Sequence, residues 1–234
     1  MLENNARSSA LDLLAMQQRF DIELAEIDDT EGFDALFGVE TSRPVEPWEI
    51  READDSTLVN NSRYSPTPVQ TIRQVISAAN VRYESMSFVD FGSGKGRVLL
   101  VAADYPFRRI IGVEFSAELC ETARKNIGQY SEVSGSPQTF EVVCQDAREF
   151  DIPDDAGFFY FYEPFSTAVA ERVIDNIEAS LARAPRTAVL CFVASALVSV
   201  LAGRESWSQL GCTLASPDSE YFEARLYTNP RDRR

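Results

Sequence analysis

The chain reads as an α/β protein: a three-layer sandwich in which helices cover both faces of a mostly parallel sheet of about seven strands. Two observations carry this reading. From Ser87 onward, short β-rich runs alternate with helical runs, the order that builds a parallel sheet. The last two β-rich runs then follow one another directly, which predicts a C-terminal hairpin that places one antiparallel strand in the sheet.

Taken in order, residues 8–27 place Leu11, Leu14, Ala15, Leu24 and Ile27 at helical spacing behind Ser8 or Ser9, and predict an amphipathic helix. Residues 28–61 are acidic and interrupted by Gly32, Gly38, Pro44 and Pro47, so they read as a loop-like arm or linker. Phe33, Leu36, Phe37 and Trp48 within it are apolar anchors, which predicts packing against something. Residues 1–61 are thus expected to be an acidic N-terminal helical arm, and 62–234 the main domain. Ser65-Pro66-Thr67-Pro68 has the form of a helix start, with Thr67 as cap and Pro68 in the first turn, of a helix reaching about Asn80.

Strands are then expected over Ser87–Phe91, Arg109–Glu114, Thr139–Cys144, Gly157–Tyr162 and Thr187–Val193. Helices are expected over Gly96–Asp104, Ala117–Tyr130, Thr167–Ala182 and from Ala194 to about Ala202. Trp207–Ala215 and Glu220–Thr228 form the final pair, with a turn around Ser216-Pro217-Asp218. The uncharged stretch Thr187–Gly203 falls short of the roughly 20 apolar residues that span a bilayer. It divides into a β-rich and a helix-like half, so a buried strand leading into a packed helix is expected rather than a membrane segment.

Composition narrows the chemistry. Of a net charge of −15, residues 1–60 carry −11 (15 acids, 4 bases) and residues 61–234 carry −4 (22 acids, 18 bases). Such a field repels a phosphate backbone and disfavours nucleic acid as a partner, Arg108, Arg109 and Arg124 being the local exception. There is no histidine, which removes Ser-His-Asp and Cys-His catalysis and His-based metal sites. The four cysteines form no CxxC pair and the N-terminus lacks a basic, apolar leader; reduced thiols in a cytoplasm are the expectation.

The most informative stretch is FVDFGSGKGRVLLVAA, Phe88 to Ala103, an apolar strand opening into a glycine-rich turn and a helix. A dinucleotide fingerprint needs a third glycine at position 97, which is Arg97, and no G-x-x-x-x-G-K-[ST] occurs. The glycines stand instead at Gly92, Gly94 and Gly96, with Ser93 and Lys95 between them.

VDFGSGKGR resembles the first motif of class I S-adenosylmethionine-dependent methyltransferases, an acidic residue (here Asp90) before a G-x-G-x-G loop. IIGVEFS then puts Glu114 where that family holds both ribose hydroxyls of the donor. CQDAREF puts Asp146 where the adenine amino group is received and the Ala147 amide where a ring nitrogen is met. FFYFYEPF puts Glu163-Pro164-Phe165 where amino-methylating members carry an Asn/Asp-Pro-Pro-aromatic motif. The set FGVET, RYSPTP, GSGKGR and GVEFS looks like a bacterial group within the family, over roughly Phe33–Pro185.

The resemblance implies a Rossmann-like sheet of order 3-2-1-4-5-7-6, S-adenosylmethionine as cofactor, no metal, and N-methylation of a protein side chain or small amine. The acceptor, the oligomeric state and the pathway are not specified by it. The departure at Glu163 leaves open a module that binds the donor without catalysis, as a sensor or scaffold. Phe115 stacks on adenine or packs under the next helix. Arg97 meets the donor's carboxylate or stands in a solvated first turn, the second alternative being favoured for Lys95. Tyr162 and Glu163 stand at a strand's carboxyl end, where open sheets bind ligands, whereas Phe159, Tyr160 and Phe161 are expected in the core. The acids Asp28, Asp29, Glu31 and Asp34 read as a solvated face, or as a gate for a basic substrate. Methyl transfer needs positioning of donor and acceptor more than a protein nucleophile, so the lack of histidine is no handicap.

Overall fold

The computed structural model describes residues 30–50, 62–194, 196–215 and 223–229. The expected helix over 8–27 and the turn at Ser216-Pro217-Asp218 lie outside them. Among the described residues five α-helices and seven strands run in the order α1 (Thr30–Phe37), α2 (Val69–Ala79), β1 (Ser87–Phe91), α3 (Arg97–Ala102), β2 (Ile110–Glu114), α4 (Ala117–Ser134), β3 (Phe140–Cys144), β4 (Ala156–Tyr162), α5 (Thr167–Arg183), β5 (Val189–Val193), β6 (Ser208–Ala215) and β7 (Glu223–Thr228).

The seven strands form one sheet of order β3-β2-β1-β4-β5-β7-β6. β3, β2, β1, β4 and β5 pair in parallel, and β7 enters antiparallel between β5 and β6. This is the predicted Rossmann-like sandwich with its C-terminal hairpin. The central strands are buried on both faces, and their sequences are correspondingly apolar except for Ser87 and Asp90 in β1 and Glu114 at the end of β2.

Alternation along β1 and β4 divides the core in two. Phe88, Phe158 and Tyr160 face the α2–α3 side, and Val89, Phe91, Phe159 and Phe161 face α5. Phe91, Phe161 and Phe192 stack across three neighbouring strands at centroid distances of 5.1 and 5.0 Å. Each such ring contributes about 1.5–3 kcal/mol by leaving water, which makes β4 the spine of the fold and its aromatics core residues, as expected.

Four features differ from the sequence reading. Thr30–Phe37 is helical through Gly32, because Phe33 and Phe37, one turn apart, are buried against α2 and α4 and tertiary burial outweighs the glycine; Gly38 (φ +67) ends the helix. Trp48, expected as an anchor, is 73% exposed. At the start of α2 the N-cap is Pro68, with no side-chain cap, while Thr67 is buried beside the Tyr160 hydroxyl. After β5 the chain turns through Ala194 (φ +55) into a 3-10 helix, Ala196–Leu201, rather than an α-helix. Among the described residues no helix is long and apolar enough to cross a membrane.

Candidate active site at the switch between β1 and β4

β2 and β4 flank β1 on opposite sides, so connections leaving β1 and β4 part there and leave a crevice outside the strands' carboxyl ends. A cleft of about 1110 Å³, counted with its open mouth, lies in that position. It is framed by the turn after β1, the ends of β2 and β4, the loop after β3 and the segment 62–67.

All three turn glycines have left-handed backbone, φ +76, +52 and +86 at Gly92, Gly94 and Gly96, a region that costs other residues about 1–2 kcal/mol. Contacts reinforce the requirement. A Cβ on Gly92 would come within 2.3 Å of Pro164, and one on Gly94 within 2.2 Å of the Tyr64 ring. Gly96 packs on Ala123 of α4, away from the cleft wall, and the Ser93 hydroxyl sits over Gly112.

Glu114 ends β2 and binds the turn to the strand. Its two oxygens accept from the Gly94 and Ser116 amides, each at 2.9 Å, and Ser116 caps α4 through the Leu119 amide. Asp90 is 3% exposed on the cleft floor; burial, and then the Glu114 carboxylate, push it well above the usual carboxylate range. Phe115 is half-buried and lines the cleft.

Asp146 and Ala147 line the far end. The Asp146 carboxylate is gripped by Arg148, with Nε at 3.0 and 3.1 Å, Nη2 at 2.5 Å and the backbone amide at 2.8 Å. The side-chain bonds from Arg148 lower its pKa most.

The arm braces the glycine turn from outside. Arg97 is 1% exposed. Its guanidinium donates to Asp34 at 3.1 Å, Thr41 at 2.7 Å and Ser42 at 2.8 Å. Asp34 also accepts from the Thr41 and Ser42 amides at 2.6 and 2.7 Å, so it is a structural acid rather than part of a solvated face. Lys95 is buried, pairs with Glu40 and lies 5.6 Å from the Tyr64 ring centroid; the expected solvated lysine is not found. Asn126 of α4 joins the two segments, donating to the Glu40 and Lys95 carbonyls at 3.0 and 2.9 Å. Asp28 and Asp29 lie outside the described residues.

On the opposite wall, Tyr162 is half-buried with its hydroxyl bonded to Ser65, and Pro164 and Phe165 line the cleft. Glu163 does not: its φ is +41, and its Oε1 accepts from the Ala196 amide at 3.2 Å. The structure thus brings Asp90, Gly92, Ser93, Gly94, Arg97, Glu114, Phe115, Asp146, Ala147, Tyr162, Pro164 and Phe165 onto one cleft. It adds Tyr64, whose hydroxyl donates to the Thr41 carbonyl at 2.7 Å, and Thr67 and Tyr160 at the floor. The motif RYSPTP marked that segment, but only its packing on Gly94 reveals the role of Tyr64.

The arrangement fits S-adenosylmethionine on its own chemistry. A turn without side chains admits close backbone approach, and a buried pair of carboxyls, Asp90 and Glu114, suits a ligand that carries a sulfonium and an ammonium group.

Comparisons with known proteins agree. Residues 88–184 match the family described as methyltransferase domain. A protein-lysine N-methyltransferase of Saccharolobus islandicus is 33% identical over 91 residues, 36% of this chain; the chain spans 55% of that relative's length. An RNA methyltransferase of Salinibacter ruber, solved in complex with S-adenosyl-L-homocysteine, superposes with a TM-score of 0.52 at 22% identity over 71% of this chain and 95% of its own. An uncharacterized Listeria monocytogenes protein does so with 0.50 at 12% identity, over 68% of each chain. The strand order and the cleft agree with the methyltransferase-domain match over residues 88–184 and with the fold of the solved methyltransferase.

Proposed function

We propose that the chain methylates an amine nitrogen, on a protein side chain or a small molecule, with a protein lysine favoured. The observation that carries the donor half of this reading is the Glu114 carboxylate, fixed by two amides at the head of a left-handed glycine turn. A carboxylate offers about four acceptor positions, so both oxygens retain capacity for the ribose hydroxyls. Asp146 and the Ala147 amide serve adenine, with Arg148 sharing the carboxylate, and Phe115 forms the wall beside them. Burial disfavours the ionised form of Asp90, and a cationic donor on the cleft floor favours it. Bound S-adenosylmethionine supplies an electrophilic methyl group. Arg97 serves by holding the turn to the arm, so the arm helps to close the site.

The protein-lysine relative supports the acceptor class, as do the acidic arm and the Tyr162–Phe165 wall, which lets an apolar lysine stem pass while its amine is oriented. Free thiols at Cys120, Cys144 and Cys191 suit a reducing compartment such as a bacterial cytoplasm.

The second reading, a sensor or scaffold that binds donor without transfer, draws support from Glu163 turning from the cleft to Ala196. One experiment tests both: incubate the protein with methyl-tritiated donor and host lysate, and fractionate the label. Label in protein supports a side-chain acceptor, and label in small amines moves the substrate there. Donor binding without label favours the sensor. Glu114→Ala should weaken donor affinity by about 1.5–3 kcal/mol, roughly 10- to 150-fold; unchanged affinity in a folded variant would remove Glu114 from the donor site.

A further inference from the structure

Two of the described cysteines meet at the end of β2. Cys120, in the first turns of α4, is buried and its thiol donates to the Glu114 carbonyl at 3.4 Å. Cys144, the last residue of the edge strand β3, is exposed and its sulfur lies 3.9 Å from the Phe115 carbonyl. The β2–β3 register pairs Cys144 with Glu114, so the two sulfurs lie against the carbonyls of adjacent residues, Glu114 and Phe115. Burial, followed by the neighbouring Cys144 thiol, pushes Cys120 far above the usual thiol range, with Arg124 acting in the opposite sense. Arg124 is fixed there by donating to the Val142 carbonyl at 2.8 Å. An exposed thiol beside a buried one is the arrangement of an attacking and a resolving cysteine.

We propose that Cys120 and Cys144 are a redox pair that closes to a disulfide under hydrogen peroxide and thereby weakens donor binding. The exposed Cys144 sulfur, as thiolate, attacks one peroxide oxygen, breaking the O–O bond; hydroxide leaves, takes up a proton as water, and Cys144 becomes a sulfenic acid. The Cys120 sulfur, losing its proton, then attacks the sulfenic sulfur. The S–S bond forms, the S–O bond breaks, and the hydroxide released takes that proton as a second water. Two thiols lose two electrons and one peroxide is reduced to two waters.

Closure draws the sulfurs to about 2.0 Å and withdraws them from the Glu114 and Phe115 carbonyls. It also ties the start of α4 to the edge strand, across the Ser116 amide that orients the Glu114 carboxylate. The effect on affinity rests on the donor-site reading above; the disulfide does not.

The test treats the full-length reduced protein with stoichiometric hydrogen peroxide. Non-reducing peptide mapping should show the Cys120–Cys144 linked peptide, lost on reduction and absent from Cys144→Ser. Calorimetry with S-adenosylhomocysteine should show at least fivefold weaker binding after oxidation, restored by reductant, with Cys144→Ser insensitive to peroxide. No linked peptide, or a linked protein whose affinity stays within twofold, overturns the proposal. If the reduced protein does not bind S-adenosylhomocysteine, the donor-site reading fails instead, and the linked peptide alone decides the pair.

Discussion

Around Gly94 and Arg97, buried charges meet partners brought by the arm: Arg97 meets Asp34, Lys95 meets Glu40, and Asn126 of α4 ties both segments together. At the ends of β4 and β5, by contrast, geometry is held in the backbone, with Glu163 and Ala194 both in left-handed conformation and linked through the Glu163–Ala196 bond. The glycine-turn wall is therefore stabilised by polar pairs whose loss appears as lost stability. The other wall stores strain of the kind found where a site must hold a substrate in one orientation. Substitutions on the two walls should separate along that line.

The largest effect is expected at Asp34. Its removal takes the Asp34 carboxylate from the Arg97 guanidinium, 1% exposed, and breaking a buried ion pair costs about 3–5 kcal/mol. Asp34→Ala should lower the melting midpoint by on the order of 10 °C and loosen residues 30–50 in hydrogen exchange. A midpoint within about 2 °C of the parent would show that the arm does not brace the turn.

Next comes Gly94, where two costs are separable. Gly94→Ala meets left-handed strain of about 1–2 kcal/mol and a clash with Tyr64 of about 1–3 kcal/mol. In a Tyr64→Ala background the clash disappears and the strain remains, so the glycine substitution should cost less there by the clash term in a double-mutant cycle. Equal costs in the two backgrounds would mean that Tyr64 does not cover the glycine.

The same contrast explains what could be read from the sequence. The strand–glycine turn–helix from Phe88 to Ala103, the strand rhythm and the acids Glu114 and Asp146 are local features, written within a few residues, and each falls where the reading put it in the fold. The roles of Asp34, Lys95 and Arg97 depend on pairings 55 and 63 residues apart, which no local pattern records. Thr67 and Glu163 were misplaced for a related reason. Both have a locally plausible use, a helix cap and a cleft carboxylate, and both side chains lie elsewhere, Thr67 buried at the cleft floor and Glu163 bonded to the Ala196 amide.

A smaller effect is expected at Asp90. Burial raises its pKa in the folded protein, so between the ordinary aspartate range near pH 4 and that raised value the folded state holds a proton that the unfolded chain releases. Stability therefore falls as pH rises through this window. Asp90→Asn removes the titration: the variant should be more stable than the parent at pH 8, and the two should converge toward pH 4. Melting curves across that range check it, and parallel curves would show that Asp90 is not the titrating group. Saturating donor should narrow the gap at pH 8, because a cation in the cleft stabilises the ionised parent.

The smallest change in stability, and the one that divides the two walls most sharply, is expected at Glu163. Gln retains the oxygen that accepts from the Ala196 amide, so Glu163→Gln should stay within about 0.5 kcal/mol of the parent, while Glu163→Ala loses a bond worth about 1 kcal/mol. Glu163→Gly loses the same bond but regains about 1–2 kcal/mol of left-handed strain, and should end near the parent in stability. Donor affinity should remain within about threefold in all three, under roughly 0.7 kcal/mol, because Glu163 lies off the cleft wall. Turnover, measured on the acceptor found by labelling, then separates two roles. If the carboxylate anchors the turn that presents Tyr162 and Pro164, Gln keeps turnover within threefold while Ala and Gly lower it tenfold or more. If the carboxylate swings into the cleft to orient a cationic amine, Gln falls with the others. The two outcomes predict opposite behaviour for one isosteric substitution, and the 3.2 Å bond from the Ala196 amide favours the first.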